Sequence, residues 1–314
     1  MALSPRLIRR RIKSVANTRK ITKAMELVAA SKMRRTVQLT QASRPYSTSL
    51  EAMVADVRRL IDPASHPLLA GRPEAKASLV VVAASDRGLC GGFNSQVLKK
   101  TMEFLRSRQE HDIRVVTVGR RAEASVRRAG YKIVAAFDAI SNAPNFERTQ
   151  PIGEFIYNEF IKGNVDRVFM VYTDFKSPVS QIPNTMQLLP IIPEAELVGQ
   201  ELMQEPMEEE RDEEEGYFKR NTAEEELNES PVLFEPNPEK VLDALLPRLL
   251  ETQVYQALLE SSASEHSARM LAMRNATDNA SDMLQDLTLT FNQARQAGIT
   301  REISEISAGK AAIE

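Results

Sequence analysis

Small and apolar residues recur every three or four positions without a skip along the last forty-five residues: Met270, Met273, Thr277, Ala280, Leu284, Leu287, Phe291, Ala294 and Gly298. A helix with such a seam stays covered only by winding left-handed around a second helix. The candidate partner lies at the other end of the chain. Residues 5–44 carry a second long helical pattern, with apolar positions at Ile8, Ile12 and Val15 and, after the polar gap Asn17-Thr18-Arg19-Lys20, at Ile21, Met25 and Val28. The second triplet follows the first by thirteen residues rather than fourteen, so this stripe is expected to drift out of heptad phase. Ser4 and Pro5 supply an N-cap and a first helical residue. Pro45 is expected to bend or end the helix, because proline removes a backbone donor and clashes with the preceding turn. A further helical stretch is expected over Ser49 to Ile61, closed by Asp62-Pro63.

Between the two ends the pattern alternates. Leu79–Ala84 is a continuous apolar run of the kind a fully buried parallel strand needs. A glycine-rich loop follows, then a helix from about Asn94 to Arg108, a strand over Ile113–Val118, a helix over Arg120–Ala129 ended by Gly130, and a strand over Lys132–Phe137. After the loop 141–145 come a helix from Pro151 to Lys162, ended by Gly163, and strands over Val168–Tyr172 and Met186–Ile192. Connections this short imply a small, mainly parallel sheet covered by helices. Leu242, Leu245 and Leu249 begin the C-terminal helical face after Pro236-Asn237-Pro238, and Pro247 allows a kink.

Charge changes this picture in one respect. The net charge of −2 conceals +11 over residues 1–44 and −12 over residues 194–230. The acidic segment has no apolar periodicity and cannot bury itself, so it reads as a loosely structured arm, tethered by Tyr217-Phe218 and Val232-Leu233-Phe234. One cysteine, Cys90, excludes an internal disulfide framework and points to a reducing compartment. No apolar run is long enough to span a membrane. The N-terminus is arginine-rich like a transit peptide, but its helical pattern runs unbroken from Pro5 and reads as structure.

Candidate chemistry is sparse. The loop Asp86-Arg87-Gly88-Leu89-Cys90-Gly91-Gly92-Phe93-Asn94 sits where α/β proteins cradle phosphates, after a buried strand and before a helix. Its glycine spacing matches neither the dinucleotide fingerprint nor the NTPase loop, so a tight turn presenting Arg87 and Cys90 to a protein partner is the preferred reading. His66, His111 and His266 have no metal-ligand companions at helical spacing, and His266 reads as a core or seam residue. Glu302 and Glu305 share one helix face with no accompanying cluster, so that face reads as solvated or partner-facing. No nucleophile–base pair, cofactor site or metal site is expected. The basic N-terminal helix could grip nucleic acid, yet its charges surround the helix and no aromatic residues interleave them. The residue pattern therefore leaves a shaft-like subunit, a coiled-coil scaffold with an α/β head and, third, a nucleic-acid binder.

A resemblance narrows these. Residues 9–35, RRRIKSVANTRKITKAMELVAASKMRR, residues 85–94, SDRGLCGGFN, and residues 265–306, EHSARMLAMRNATDNASDMLQDLTLTFNQARQAGITREISEI, closely resemble the γ chains of the rotary F-type ATP synthase. The resemblance implies an α/β protein with long helices: an antiparallel two-helix coiled coil of the terminal segments, with an inserted Rossmann-like domain. Its boundaries would be a long helix over 1–62, an α/β domain over 75–193, an acidic insertion over 194–235 and a long helix over 236–314. It implies as partners the α and β chains of the catalytic hexamer, the ε chain and the membrane c ring, with no nucleic acid and no nucleotide bound directly. It places the chain peripherally on the cytoplasmic face of a bacterial plasma membrane. By position, Arg295, Gln296 and Thr300 match the family's upper contact with β, Met25 matches a position that affects coupling, and Arg87 and Cys90 lie in the loop near β's moving lever. Lys20 and Lys23 would face acidic segments of β. Three departures stand out: Gly298 inside the helix, Lys310 near the tip, and an acidic segment longer than in ordinary bacterial forms and without the cysteines of chloroplast forms.

Overall fold

The computed structural model describes residues 5–62, 66–72, 75–108, 112–142, 144–191 and 234–311. Ser4, Pro63, His111, the acidic segment 194–230, Val232, Leu233 and the side chain of Lys310 lie outside the described residues. Two compact units divide the chain, one made of residues 1–31 and 269–314, the other of residues 32–268.

Helix α1 runs from Pro5 to Arg58 and passes through Pro45 without ending. Of the two outcomes expected at Pro45, an end to the helix is corrected. Pro45 and Gln41, whose carbonyl the missing donor would have met, are both exposed, so water can satisfy the freed oxygen and the ring has room.

In the unit of the two termini, α1 faces the last helix of the chain. Thr277 Oγ1 donates to Thr22 Oγ1 at 2.8 Å, and the Arg9 guanidinium lies 5.5 Å from the centre of the Phe291 ring. Partner numbers fall as α1 numbers rise, so the two segments run in opposite directions. Every position of the C-terminal seam from Met270 to Gly298 is buried or half-buried. The α1 stripe, by contrast, does not drift as the apolar residues suggested. Ile8, Val15, Thr22 and Ala29, seven apart, are covered, as are Ile12 and Met25 of the expected stripe, whereas Ile21 and Val28 are 60% and 56% exposed. At the second half of the stripe the covered residues, Thr22 and Ala29, are small, and the larger β-branched Ile21 and Val28 beside them face outward.

The other unit holds a five-stranded sheet in the order β3-β2-β1-β4-β5, with β1 Ala77–Ala83, β2 Asp112–Val118, β3 Lys132–Phe137, β4 Arg167–Phe175 and β5 Gln181–Leu189. The first four strands pair in parallel; β5 returns antiparallel on β4. Pro183 and Asn184 disguise β5 in the sequence, and an edge strand tolerates both. Helix α2 (Phe93–Ser107) and helix α3 (Arg120–Arg128) cover one face through Val97, Leu105, Ala122 and Val126. The other face is covered by Ile152, Ile156 and Phe160 of helix α4 (Phe146–Ile161), Leu50, Val54 and Val57 of α1, and Leu242, Leu246 and Leu250 of helix α5 (Pro238–Ala311). Alternate residues of β1 divide between these faces, Leu79 and Val81 to one and Val80 and Val82 to the other, as the strand pleat requires. Helix α4 begins five residues before the expected Pro151: the carbonyl of extended Asn145 accepts the Arg148 and Thr149 N–H groups, and the carbonyl of Glu147 that Pro151 leaves free belongs to an exposed residue.

Asp166 staples the start of this sheet. Its Oδ2 accepts the Lys76 and Ala77 backbone N–H groups at 2.8 and 3.0 Å, and its Oδ1 accepts Arg72 at 2.9 Å. Burial alone would raise this carboxyl, but the two backbone donors and Arg72 outweigh it and hold the group below its ordinary value. A depressed carboxylate stabilises the fold above its unfolded pKa and loses that contribution as pH falls through the folded one. Asp166→Asn is therefore expected to lower stability by about 1 kcal/mol at neutral pH, with the deficit shrinking below about pH 4. Urea unfolding at the two pH values checks this.

Candidate functional site

In a sheet of this order, the ends of β1 and β4 flank the point where the chain reverses its direction of winding, the usual ligand crevice of an open α/β sheet. The loop after β1 closes on itself there. The Ser85 hydroxyl donates to the Arg87 carbonyl at 2.6 Å, the Asn94 amide reaches Cys90 Sγ at 3.1 Å, and the Ser85 N–H donates to Asn94 Oδ1 at 3.1 Å. Asp86 ties in the neighbouring loops: Oδ1 accepts the Arg120 and Ala139 N–H groups at 3.2 and 3.4 Å, and Oδ2 accepts the Ser141 hydroxyl at 2.9 Å.

The expectation that the turn presents both Arg87 and Cys90 is corrected for the second residue. Cys90 is 2% exposed and packs with Phe93 and with Ala268 of α5. Leu89 takes the outward position beside Arg87, 62% exposed and at φ 65°. A leucine in the left-handed region carries roughly 1 kcal/mol or more of strain. Sequence spacing gave no sign of Leu89, because a single leucine in a glycine-rich turn has no periodicity to follow.

Helix α5 fills the crevice itself. Ser264 Oγ reaches the Thr173 carbonyl of β4 at 3.4 Å, Ser267 Oγ donates to the Pro178 carbonyl at 2.6 Å, and His266 Nε2 donates to the Asn142 carbonyl at 3.1 Å. His266 is thus a core residue, as its place in the helical pattern suggests. His66 lies 3.1 Å from Asp243 and accepts the Leu68 N–H. Among the described residues, no group of His, Cys, Asp or Glu could hold a metal ion.

Six of the eight candidate contact residues lie in the unit of the two termini. Lys20 and Lys23 line one open cleft together with Arg19, Ala24, Leu27, Thr277 and Ser281. Lys23 is partly neutralised by Glu26 at 3.0 Å. Met25 is half-buried on the same helix, one turn from the Thr22 contact. Arg295, Gln296 and Thr300 are exposed, beside the last seam positions Ala294 and Gly298, and every described side chain beyond Gly298 is exposed. Arg87 and Cys90 lie in the α/β unit.

Comparison with known proteins decides the family. A family model described as ATP synthase matches residues 4–313. The ATP synthase gamma chain of Pelotomaculum thermopropionicum is 41% identical over 99% of both chains, and that of Heliobacterium modesticaldum is 39% identical over 98% of both. The chain belongs to the ATP synthase gamma-chain family. Among solved structures, a chain from the central stalk and c ring of the Tetrahymena thermophila mitochondrial ATP synthase is 26% identical, with a TM-score of 0.57, over 82% of this chain and 99% of that one. A chain from the Euglena gracilis mitochondrial ATP synthase is 20% identical, with a TM-score of 0.63, over 98% of this chain and 94% of that one. At that identity the second likeness is one of fold. As a gamma chain the protein is a central-stalk subunit and not the catalytic chain of the synthase.

Proposed function

We propose that the paired terminal segments form the antiparallel coiled-coil shaft of the synthase, and that the Rossmann-like α/β unit turns as part of the same rotor. The observation that carries this reading is the seam: covered positions recur seven apart on α1, Thr22 among them meets Thr277 of the 270–298 seam of α5, and exposed Arg9 lies over Phe291 of that seam. The domain boundaries follow from it, with long helices over 1–62 and 236–314, the α/β domain over 75–193 and an acidic insertion over 194–235. The shaft would meet the ring of α and β chains, and the α/β unit the c ring and the ε chain. Among the described residues, no helix is long and apolar enough to cross a membrane, in keeping with a peripheral position on the cytoplasmic face of a bacterial plasma membrane.

Turning of the c ring would carry the shaft with it. As one face of the shaft and then another meets each β chain, the contact favours one nucleotide-binding state of β over the next, which is differential affinity for conformational states imposed by a rotating ligand. The exposed basic cleft of Lys20 and Lys23 suits acidic segments of β, and Arg295, Gln296 and Thr300 suit an upper contact, because all five project into solvent. Met25 would act from beside the seam. In the turn, Arg87 and Leu89 are the residues placed to meet β's lever, with Cys90 supporting them from within. No nucleotide is expected on this chain, because its own helix occupies the crevice that would receive one.

Arg295→Ala combined with Gln296→Ala removes two exposed side chains and no packing. Inverted membrane vesicles carrying the double variant are expected to lose most ATP synthesis while the isolated chain keeps its unfolding midpoint. Synthesis at the wild-type rate would remove these residues from the contact.

A further inference from the structure

Residues 261–268 of α5 are buried on every side, two full turns of Ser261-Ser262-Ala263-Ser264-Glu265-His266-Ser267-Ala268. A helix enclosed all round is ordinarily apolar all round; this one is small and polar. Its hydrogen bonds leave in different directions. At 3.6 residues per turn, Ser264 and Ser267 point about 60° apart, while His266 points about 160° from Ser264, toward the opposite side. The serines meet the β4–β5 hairpin at Thr173 and Pro178, and His266 meets the β3–α4 loop at Asn142. The Asn142 side chain in turn accepts Lys32 Nζ of α1 at 2.9 Å. Ala268 closes the ring against Cys90 of the β1–α2 loop and Phe93 at the start of α2. Loops from the carboxyl ends of β1, β3 and β4 therefore grip the same two turns.

The close packing of Leu242, Leu246 and Leu250 already resists twisting of this helix, but the burial free energy behind it is non-directional. Hydrogen bonds weaken steeply once their angle departs from linear. Small residues let the surrounding backbone come close enough for carbonyls to act as partners. We propose that residues 261–268 form a rotational key, in which Ser264, His266 and Ser267 are positioning residues that fix the angle of α5 about its own axis within the α/β unit. Turning of that unit then passes into the helix instead of being lost as slippage. The inference rests on the reading of the chain as a rotor.

The test uses the complete synthase reconstituted in vesicles, with ATP hydrolysis and proton pumping measured on the same preparation. In Ser264→Ala/His266→Leu/Ser267→Ala, protons pumped per ATP hydrolysed are expected to fall by about threefold or more, with hydrolysis within about twofold of wild type. His266→Gln, which can still donate to the Asn142 carbonyl, should restore most of the ratio when it replaces His266→Leu. Should the triple variant fail to assemble, Ser267→Ala alone removes one bond and should lower the ratio by about 1.5-fold. A ratio equal to wild type in the variants that assemble, or hydrolysis and pumping falling in proportion, would overturn the key and leave these residues as ordinary packing. A wild-type complex that hydrolyses ATP without pumping would instead overturn the rotor reading itself.

Discussion

Ala29→Glu is expected to unseat the helix pair of the terminal unit, whereas Val28→Glu next to it should be almost silent. Ala29 is 1% exposed and in phase with Thr22 and Val15; Val28 is the larger and more apolar residue yet faces solvent. Placing a carboxylate at the covered site without a partner costs several kcal/mol, or forces the helices apart. The exposed site should change stability by no more than about 0.5 kcal/mol. Thermal unfolding followed by far-ultraviolet circular dichroism should show an early loss of helix in Ala29→Glu alone, and vesicles carrying it should lose coupled synthesis. Equal effects at the two positions would mean that the helical phase is wrong.

Gly119→Ala is expected to be the most damaging single change in the α/β unit. Gly119 opens α3 at φ 93°, and a Cβ there would lie 2.1 Å from the Ala84 carbonyl oxygen. That oxygen belongs to backbone at the end of β1, so neither partner can rotate away. Left-handed strain and the clash together should remove about 3 kcal/mol or more. The displaced Ala84 leads directly into the turn that buries Cys90. Because Cys90 is the one cysteine of the chain, its labelling by a thiol reagent reports on the turn, and the rate should rise along with the fall in urea midpoint. A variant of wild-type stability with an unreactive thiol would show that the β2–α3 turn can move aside.

Where large apolar residues mark the covered face, the sequence is readable. The seam from Met270 to Gly298 and the runs of β1, β2 and β3 all fall where their periodicity puts them. The first helix misleads over residues 21–47, where Thr22, Ala29, Thr36, Thr40 and Ser47 are the buried residues, and hydropathy ranks these below the exposed Ile21 and Val28. Pro45 and Pro151 look like breaks, but each is tolerated beside an exposed carbonyl. Of the candidate contacts, the exposed side chains of Lys20, Lys23, Arg295, Gln296 and Thr300 suit the role given to them. Cys90 does not, since spacing shows that a turn exists but not which of its residues points inward. Least visible is the serine-rich segment 261–268, whose composition resembles a solvated face and whose burial depends on three loops distant in sequence.

The most direct test attaches a bead to an exposed residue of the α/β unit, with the complete hexamer of α and β chains fixed to glass. On adding ATP the bead should turn continuously in one sense, driven by hydrolysis and halted when a disulfide joins position 296 to a facing β chain. Hydrolysis at the full rate with the bead stationary, or undiminished by that crosslink, would show that this chain is not the turning shaft.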